Sequence, residues 1–237
     1  MNSIVEQLNP DRVFHFFTEI CKIPHPSKKE ALMVSFLLGF ARERNLESAL
    51  DEVGNVLIRK HAFKGYEQLI PVVLQSHIDM VCEKNSDTPH NFDTDPIIPY
   101  VDGDWVKAKG TTLGADDGIG IATQLAILDA GDIPHGPIEC LFTIDEETGL
   151  TGAFGIKPGF LEGKILLNLD SEDEGQIFIG CAGGRDTLAH LLYRTEAVPK
   201  GVSGFKLMVG GLKGGHSGDD INKGLGNAVK ILNRLLW

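Results

Sequence analysis

The chain has 237 residues, 42% of them apolar and 23% charged, which is the composition of an ordinary globular protein long enough for one large domain or two smaller ones. Its 33 acidic and 22 basic residues leave a formal charge of -11, and no Lys/Arg cluster stands out that could neutralise phosphates, which argues against nucleic acid as a partner. The amino terminus lacks the basic start and apolar stretch of a secretory signal, and no run of about 18 apolar residues occurs, so a soluble, cytoplasmic protein without a membrane partner is expected.

Asn9-Pro10 places a cap residue before a proline at the first helical position, and Val13, Phe16, Phe17 and Ile20 then recur at helical spacing. Ser27-Lys28-Lys29-Glu30 reads as a capping box ahead of a second amphipathic helix through Leu32, Met33, Phe36 and Leu37, ending near Arg44. Short apolar runs follow at 55–59, 71–75, 138–144 and 165–169, each of which reads as a strand. Between the second and third lies a helical pattern from Asp116 to Ala130, and 86–104, rich in Pro, Asp and Asn, reads as a long surface loop. Strands alternating with helices predict an α/β fold, a mostly parallel sheet sandwiched by helices.

A change of pattern near Arg185 suggests a boundary between residues 1–185 and a second, smaller α+β unit over 186–237, in which 188–193 and 205–209 could pair as strands. The helical pattern from Gly226 to Trp237 has no cap or stop signal at its end, so the chain looks cut. Cys21, Cys82, Cys140 and Cys181 form no C-x-x-C pair and are expected to be reduced and mostly buried.

The chemistry-bearing residues cluster at the ends of the strand runs. An extended His77-Ile78-Asp79 points His77 and Asp79 to one face, where the imidazole could bind a metal while the carboxylate holds its other nitrogen. Alone, so short a motif fits a structural His-Asp hydrogen bond equally well. Gly110 to Gly120 is a glycine-rich turn delivering Asp116 and Asp117 at a helix start, where acids also simply complement the helix dipole, and no G-K-[ST] closes it into a phosphate-binding loop. Asp145, Glu146 and Glu147 follow one strand and Asp170 another, positions that a solvated loop could explain singly. Together they put His and carboxylate ligands where open α/β sheets build their sites, and ligands of that kind without thiolates favour zinc, cobalt or manganese.

The segments Leu74 to Asn85, Gly110 to Ala122, Phe142 to Ala153 and Leu167 to Gly175 resemble the co-catalytic zinc metallopeptidases that include aminoacylases and carboxypeptidase G, most of all their aminoacyl-histidine dipeptidase branch. That resemblance implies two divalent ions, one held by His77, Asp116 and Asp170, with Asp116 bridging to a second held by Glu147. It makes Asp79 the residue that orients His77 and Glu146 the general base acting on a water between the ions. It implies a cis peptide after Asp116, a substrate-binding role for His216 in Gly214-Gly-His-Ser-Gly218, and a homodimer formed through the smaller domain. The expected activity is hydrolysis of dipeptides, of the aminoacyl-histidine type. The alternatives are deacylation of N-acyl amino acids and a catalytically incomplete fragment that only binds metal or associates, since the family's last second-ion ligand, a His from a carboxy-terminal segment, has no counterpart here.

Overall fold

The computed structural model describes residues 4–171, 173–181, 183, 187–215 and 220–237. They divide into two compact units, Met1–Ile177 and Phe178–Trp237. In the first, a five-stranded sheet is built from β1 (Glu47–Leu50), β2 (Val56–Lys60), β3 (Val72–His77), β6 (Ile138–Thr143) and β7 (Ile165–Asn168), in the order β1-β2-β6-β3-β7. Strands β6, β3 and β7 run parallel, and the β1–β2 hairpin adds two antiparallel pairings at one edge.

The period-two alternation of side chains explains the layers. Ile58, Cys140 and Leu74 lie in one row across three strands and face the helices, whereas Leu57 and Leu141, one residue along, face the other way. On the first face pack α1 (Asp11–Ile20), α2 (Ala31–Glu43) and α3 (Ala115–Asp129), burying Phe17, Ile20, Met33, Leu37, Ile121 and Leu125 almost completely. On the second, a smaller cluster forms where Ile156, Phe160 and Leu161 cover Leu57, Val73 and Leu141.

The helix starts differ from the sequence reading. The Asn9-Pro10 bond is cis and Pro10 has extended backbone, so α1 begins at Asp11, and no side chain of the residue before it caps the helix. Nor do Ser27 and Glu30 close a capping box, for the Ser27 hydroxyl donates to Asp79 and Glu30 Oε1 accepts from the Lys28 and Asp145 N–H groups. The 86–104 loop holds a strand near its end, β4 (Pro99–Asp102), which pairs with β5 (Trp105–Ala108) in a small hairpin.

Asn55 fastens the turn after β6 to the sheet. Its amide donates to Asp51 Oδ2 at 2.7 Å and to the Gly152 carbonyl at 2.9 Å, and its Oδ1 accepts the Ile144 N–H at 3.1 Å. Any side chain at Gly152 would collide with Asn55 and with the Ile144 backbone, so the close approach requires glycine. Because Asn55 is fully buried, Asn55→Ala strands the Ile144 N–H and the Gly152 carbonyl. It should lower the unfolding free energy by about 1–3 kcal/mol, read as a reduced urea midpoint at unchanged slope.

The second unit carries one helix among its described residues, α5 (Ala228–Leu236), capped by Asn227, whose side chain accepts the Lys230 N–H at 2.9 Å. The runs 188–193 and 205–209 form no strand among the described residues. Leu191, Leu192 and Phe205 there are exposed, and no neighbouring strand supplies ladder hydrogen bonds.

Candidate metal centre

The parallel strands β3, β6 and β7 end on the same edge of the sheet, and each leads to residues of the candidate site. Strand β3 closes on His77 and continues through Ile78 to Asp79. Strand β6 leads through Ile144 to Asp145, Glu146 and Glu147, the last two opening the short α4 (Glu146–Gly149). Past β7, the Leu169 N–H bonds to the Gln75 carbonyl at 2.9 Å, which carries Asp170 alongside the end of β3. Asp116 arrives from the start of α3, and its peptide bond to Asp117 is cis, as the family resemblance implies.

His77 sits at the middle of this group and is buried. Its Nδ1 donates to the Asp79 carbonyl at 3.0 Å and lies 3.3 Å from the Asp79 carboxylate. Its Nε2 faces Asp116 Oδ1 at 2.9 Å and Asp170 Oδ1 at 3.9 Å. Burial alone would lower the imidazole pKa, but the Asp116 and Asp79 carboxylates, with Asp170 and Asp117 behind them, raise it to about 11. Asp79 is buried too, which would raise its pKa. The His77 contact, the Glu146 N–H at 2.9 Å and the Ser27 hydroxyl at 2.7 Å instead bring it down to about 2.

The other acids are pushed the opposite way. Burial, then the Asp116 charge, raises Glu147; burial, with Asp79 and Asp116 adding to it, raises Glu146. Asp170 rises to about 7, from burial and its hydrogen bond to Asp116, despite the opposing pull of His77. Asp117 lies buried beneath, accepts the Gly120 N–H at 3.2 Å and is raised to about 8, chiefly by burial and then by Asp170.

Two sets of donors can each close on a common point. His77, Asp116 and Asp170 offer ligand atoms within 4.8 Å of one another, and so do His77, Glu146 and Glu147. The donors are one imidazole and carboxylates with no thiolate, which suits a borderline or hard divalent cation. Several buried or half-buried carboxylates gather around the His77 imidazole, and a bound cation would relieve that excess of negative charge. The residues present therefore fit a metal.

Of the residues singled out from sequence, His77, Asp79, Asp116, Glu146, Glu147 and Asp170 come together here, and His216 lies outside the described residues. Sequence reasoning missed Ser27 and Glu30. Ser27 donates to Asp79, and Glu30 accepts the Asp145 N–H at 3.1 Å. The only signal they gave was the S-x-x-E pattern, which also marks a helix start. Asp145 is buried, the hydroxyls of Thr148 and Thr151 donate to its carboxylate, and it belongs to neither of these two donor sets but lies with Glu30 and Asp79 in a third buried group of carboxylates within 4.8 Å of one another.

No family model matches the chain. Over 234 residues, 99% of its length, it is 53% identical to the cytosol non-specific dipeptidase of Escherichia coli (strain K12), covering 48% of that protein. Its structure resembles the aminoacylhistidine dipeptidase of Vibrio alginolyticus with a TM-score of 0.76 and 48% sequence identity, over 99% of this chain and 48% of that one. A more distant match is an aminopeptidase from Bacillus cereus ATCC 10987, with a TM-score of 0.59 and 26% identity over 70% of this chain and 44% of that one. The chain thus spans about half the length of the relatives it matches. Along its entire length the chain is therefore similar to about half of these dipeptidases.

Proposed function

We propose that the protein is a metal-dependent dipeptidase of aminoacyl-histidine preference. The observation that carries this reading is the convergence of His77, Asp116, Asp170, Glu146 and Glu147 at one edge of a parallel sheet, with Asp79 locked behind the histidine. His77, Asp116 and Asp170 would hold one divalent ion, and Asp116 with Glu147 a second, zinc being the first choice and cobalt or manganese the alternatives. Bound there, such ions supply Lewis acidity toward the scissile carbonyl and lower the pKa of water.

The chain's own residues do the rest. Asp79 accepts from His77 Nδ1, fixing the tautomer in which Nε2 faces outward to Asp116 and Asp170. Glu146 is the general base, half-buried, and burial keeps its proton affinity above that of an ordinary glutamate. It takes a proton from the attacking water and returns it to the leaving amine. His216 would contact the substrate, the cellular setting is the cytoplasm, and the assembly is a homodimer. Among the described residues no helix is long and apolar enough to cross a membrane.

Turnover of a dipeptide panel, set against acylated amino acids, tests this reading in the natural protein. Cleavage of aminoacyl-histidine dipeptides that stops on chelation and returns with zinc supports it. Preference for acylated amino acids would reassign the protein as a deacylase, and turnover indifferent to chelator would remove the metal.

Proton release gives a second check. Without metal, His77 is raised to about 11 and Asp170 to about 7, so at neutral pH His77 is protonated and Asp170 partly so, and a cation must displace those protons. Apparent zinc affinity should therefore rise as pH increases through about 7. Calorimetry in buffers of different ionisation heat should show net proton release, and equal binding heats across buffers would count against these ligands.

A further inference from the structure

Ser27 and Glu30, which fail to cap α2, are both turned toward the metal centre from the loop between α1 and α2. Glu30 is 6% exposed, and its Oε1 accepts two backbone N–H groups, that of Lys28 at 2.8 Å and that of Asp145 at 3.1 Å. Asp145 is the residue immediately before Glu146 and Glu147. It is held at φ 49° and ψ 51°, a left-handed conformation that an aspartate adopts only where its surroundings fix it. The Thr148 and Thr151 hydroxyls bind its carboxylate and Glu30 binds its amide, so the turn is gripped from both sides. The Glu146 and Glu147 N–H groups, at 2.9 and 3.3 Å, in turn reach the Asp79 carboxylate that also receives the Ser27 hydroxyl. The segment from Ser27 to Glu30 thus meets both the support of His77 and the base of the Glu146–Glu147 turn.

We propose that Glu30 is a positioning residue, whose buried carboxylate oxygen fixes the Asp145 backbone and so aims Glu146 and Glu147 at the substrate and the second ion. The proposal rests on the reading of those two glutamates given above. Its physical content is that Glu30 acts as a hydrogen-bond acceptor at a fixed distance, and that its charge is incidental. Glu30→Gln keeps an acceptor oxygen at the same reach and removes the charge. Glu30→Asp keeps the charge and draws the oxygen back by one methylene, beyond hydrogen-bonding distance of the Asp145 N–H. Neither change opens a large cavity, so both variants should fold.

In the zinc-loaded natural protein, Glu30→Gln should stay within about threefold of the parent in kcat and in zinc affinity at both positions. Glu30→Asp should lower kcat about 10–100-fold at little changed KM, the usual effect of losing an outer partner of a metal site. In a zinc titration it should also weaken one of two ions by a similar factor while the other stays tight, because His77, Asp116 and Asp170 are held from elsewhere. A merely structural role predicts a different result, with both ions loosened together in step with a lowered Tm. That outcome, the reverse ranking of the two variants, or full activity in Glu30→Asp would overturn the proposal. Glu146→Gln in the same assay separates the two ideas. If it still hydrolyses peptide, the reading of the glutamates is wrong; if it is inactive while Glu30→Asp is not, only the role of Glu30 falls.

Discussion

Glu146→Gln should abolish most of the turnover, lowering kcat about 10²–10⁴-fold, while zinc content and the melting temperature stay near those of the parent. Gln is nearly isosteric with Glu, and the backbone N–H through which residue 146 binds Asp79 is untouched, so the turn keeps its shape. What disappears is the only function Glu146 has in the proposed mechanism, the reversible capture of a proton. Burial, with the charges of Asp79 and Asp116, raises its pKa above the ordinary glutamate value. In the parent, the limb of kcat/KM that depends on a deprotonated base should rise with pH across that raised pKa, and the variant should lack it. Retained turnover would move the base elsewhere, with Glu147, raised by burial and by Asp116, the nearest alternative.

Asp116→Ala should act on the metal instead. Asp116 meets His77 Nε2 at 2.9 Å, bonds to Asp170 and raises Glu146 and Glu147 through its charge, so it stands between the two donor sets. It is also the most exposed carboxylate of the group, its side chain 51% accessible, so its removal opens no buried cavity, although it takes from buried His77 the 2.9 Å partner of Nε2. The variant should therefore fold. Zinc binding should weaken by more than the 10–100-fold typical of an outer partner, at both positions, and activity should fall with it. Equilibrium dialysis against zinc measures this directly, and loss of a single ion would mean that Asp116 does not bridge.

The contrast between these residues and Glu30 shows what a sequence makes legible. Strands β3 and β6 announced themselves as apolar runs because they lie buried within the sheet, β7 has the same apolar pattern although its residues are exposed at the sheet's edge, and each run leads into a ligand-type residue. His77, Glu146, Glu147 and Asp170 could be picked out from that alone, and the glycine-rich turn before Asp116 supplied the fourth approach. Glu30 and Ser27 could not, because their partners lie 115 and 52 residues further along and the same four residues satisfy a local helix-start rule. The β4–β5 hairpin hid for a related reason. Its strands are four residues long and half exposed, and their signal was lost in the polar loop around them. In the second unit, apolar runs read as strands because local pattern records a tendency to pair but not whether a partner strand is present.

In the proposed mechanism His77, Asp116, Asp170 and Glu147 hold two divalent cations. Anomalous difference maps collected at the zinc edge from crystals of the zinc-loaded natural protein test it most directly. Two peaks per chain are expected, one against His77, Asp116 and Asp170 and the other against Asp116 and Glu147, with Glu146 in neither ligand shell. A single peak, or peaks that leave Asp116 uncoordinated, would contradict it.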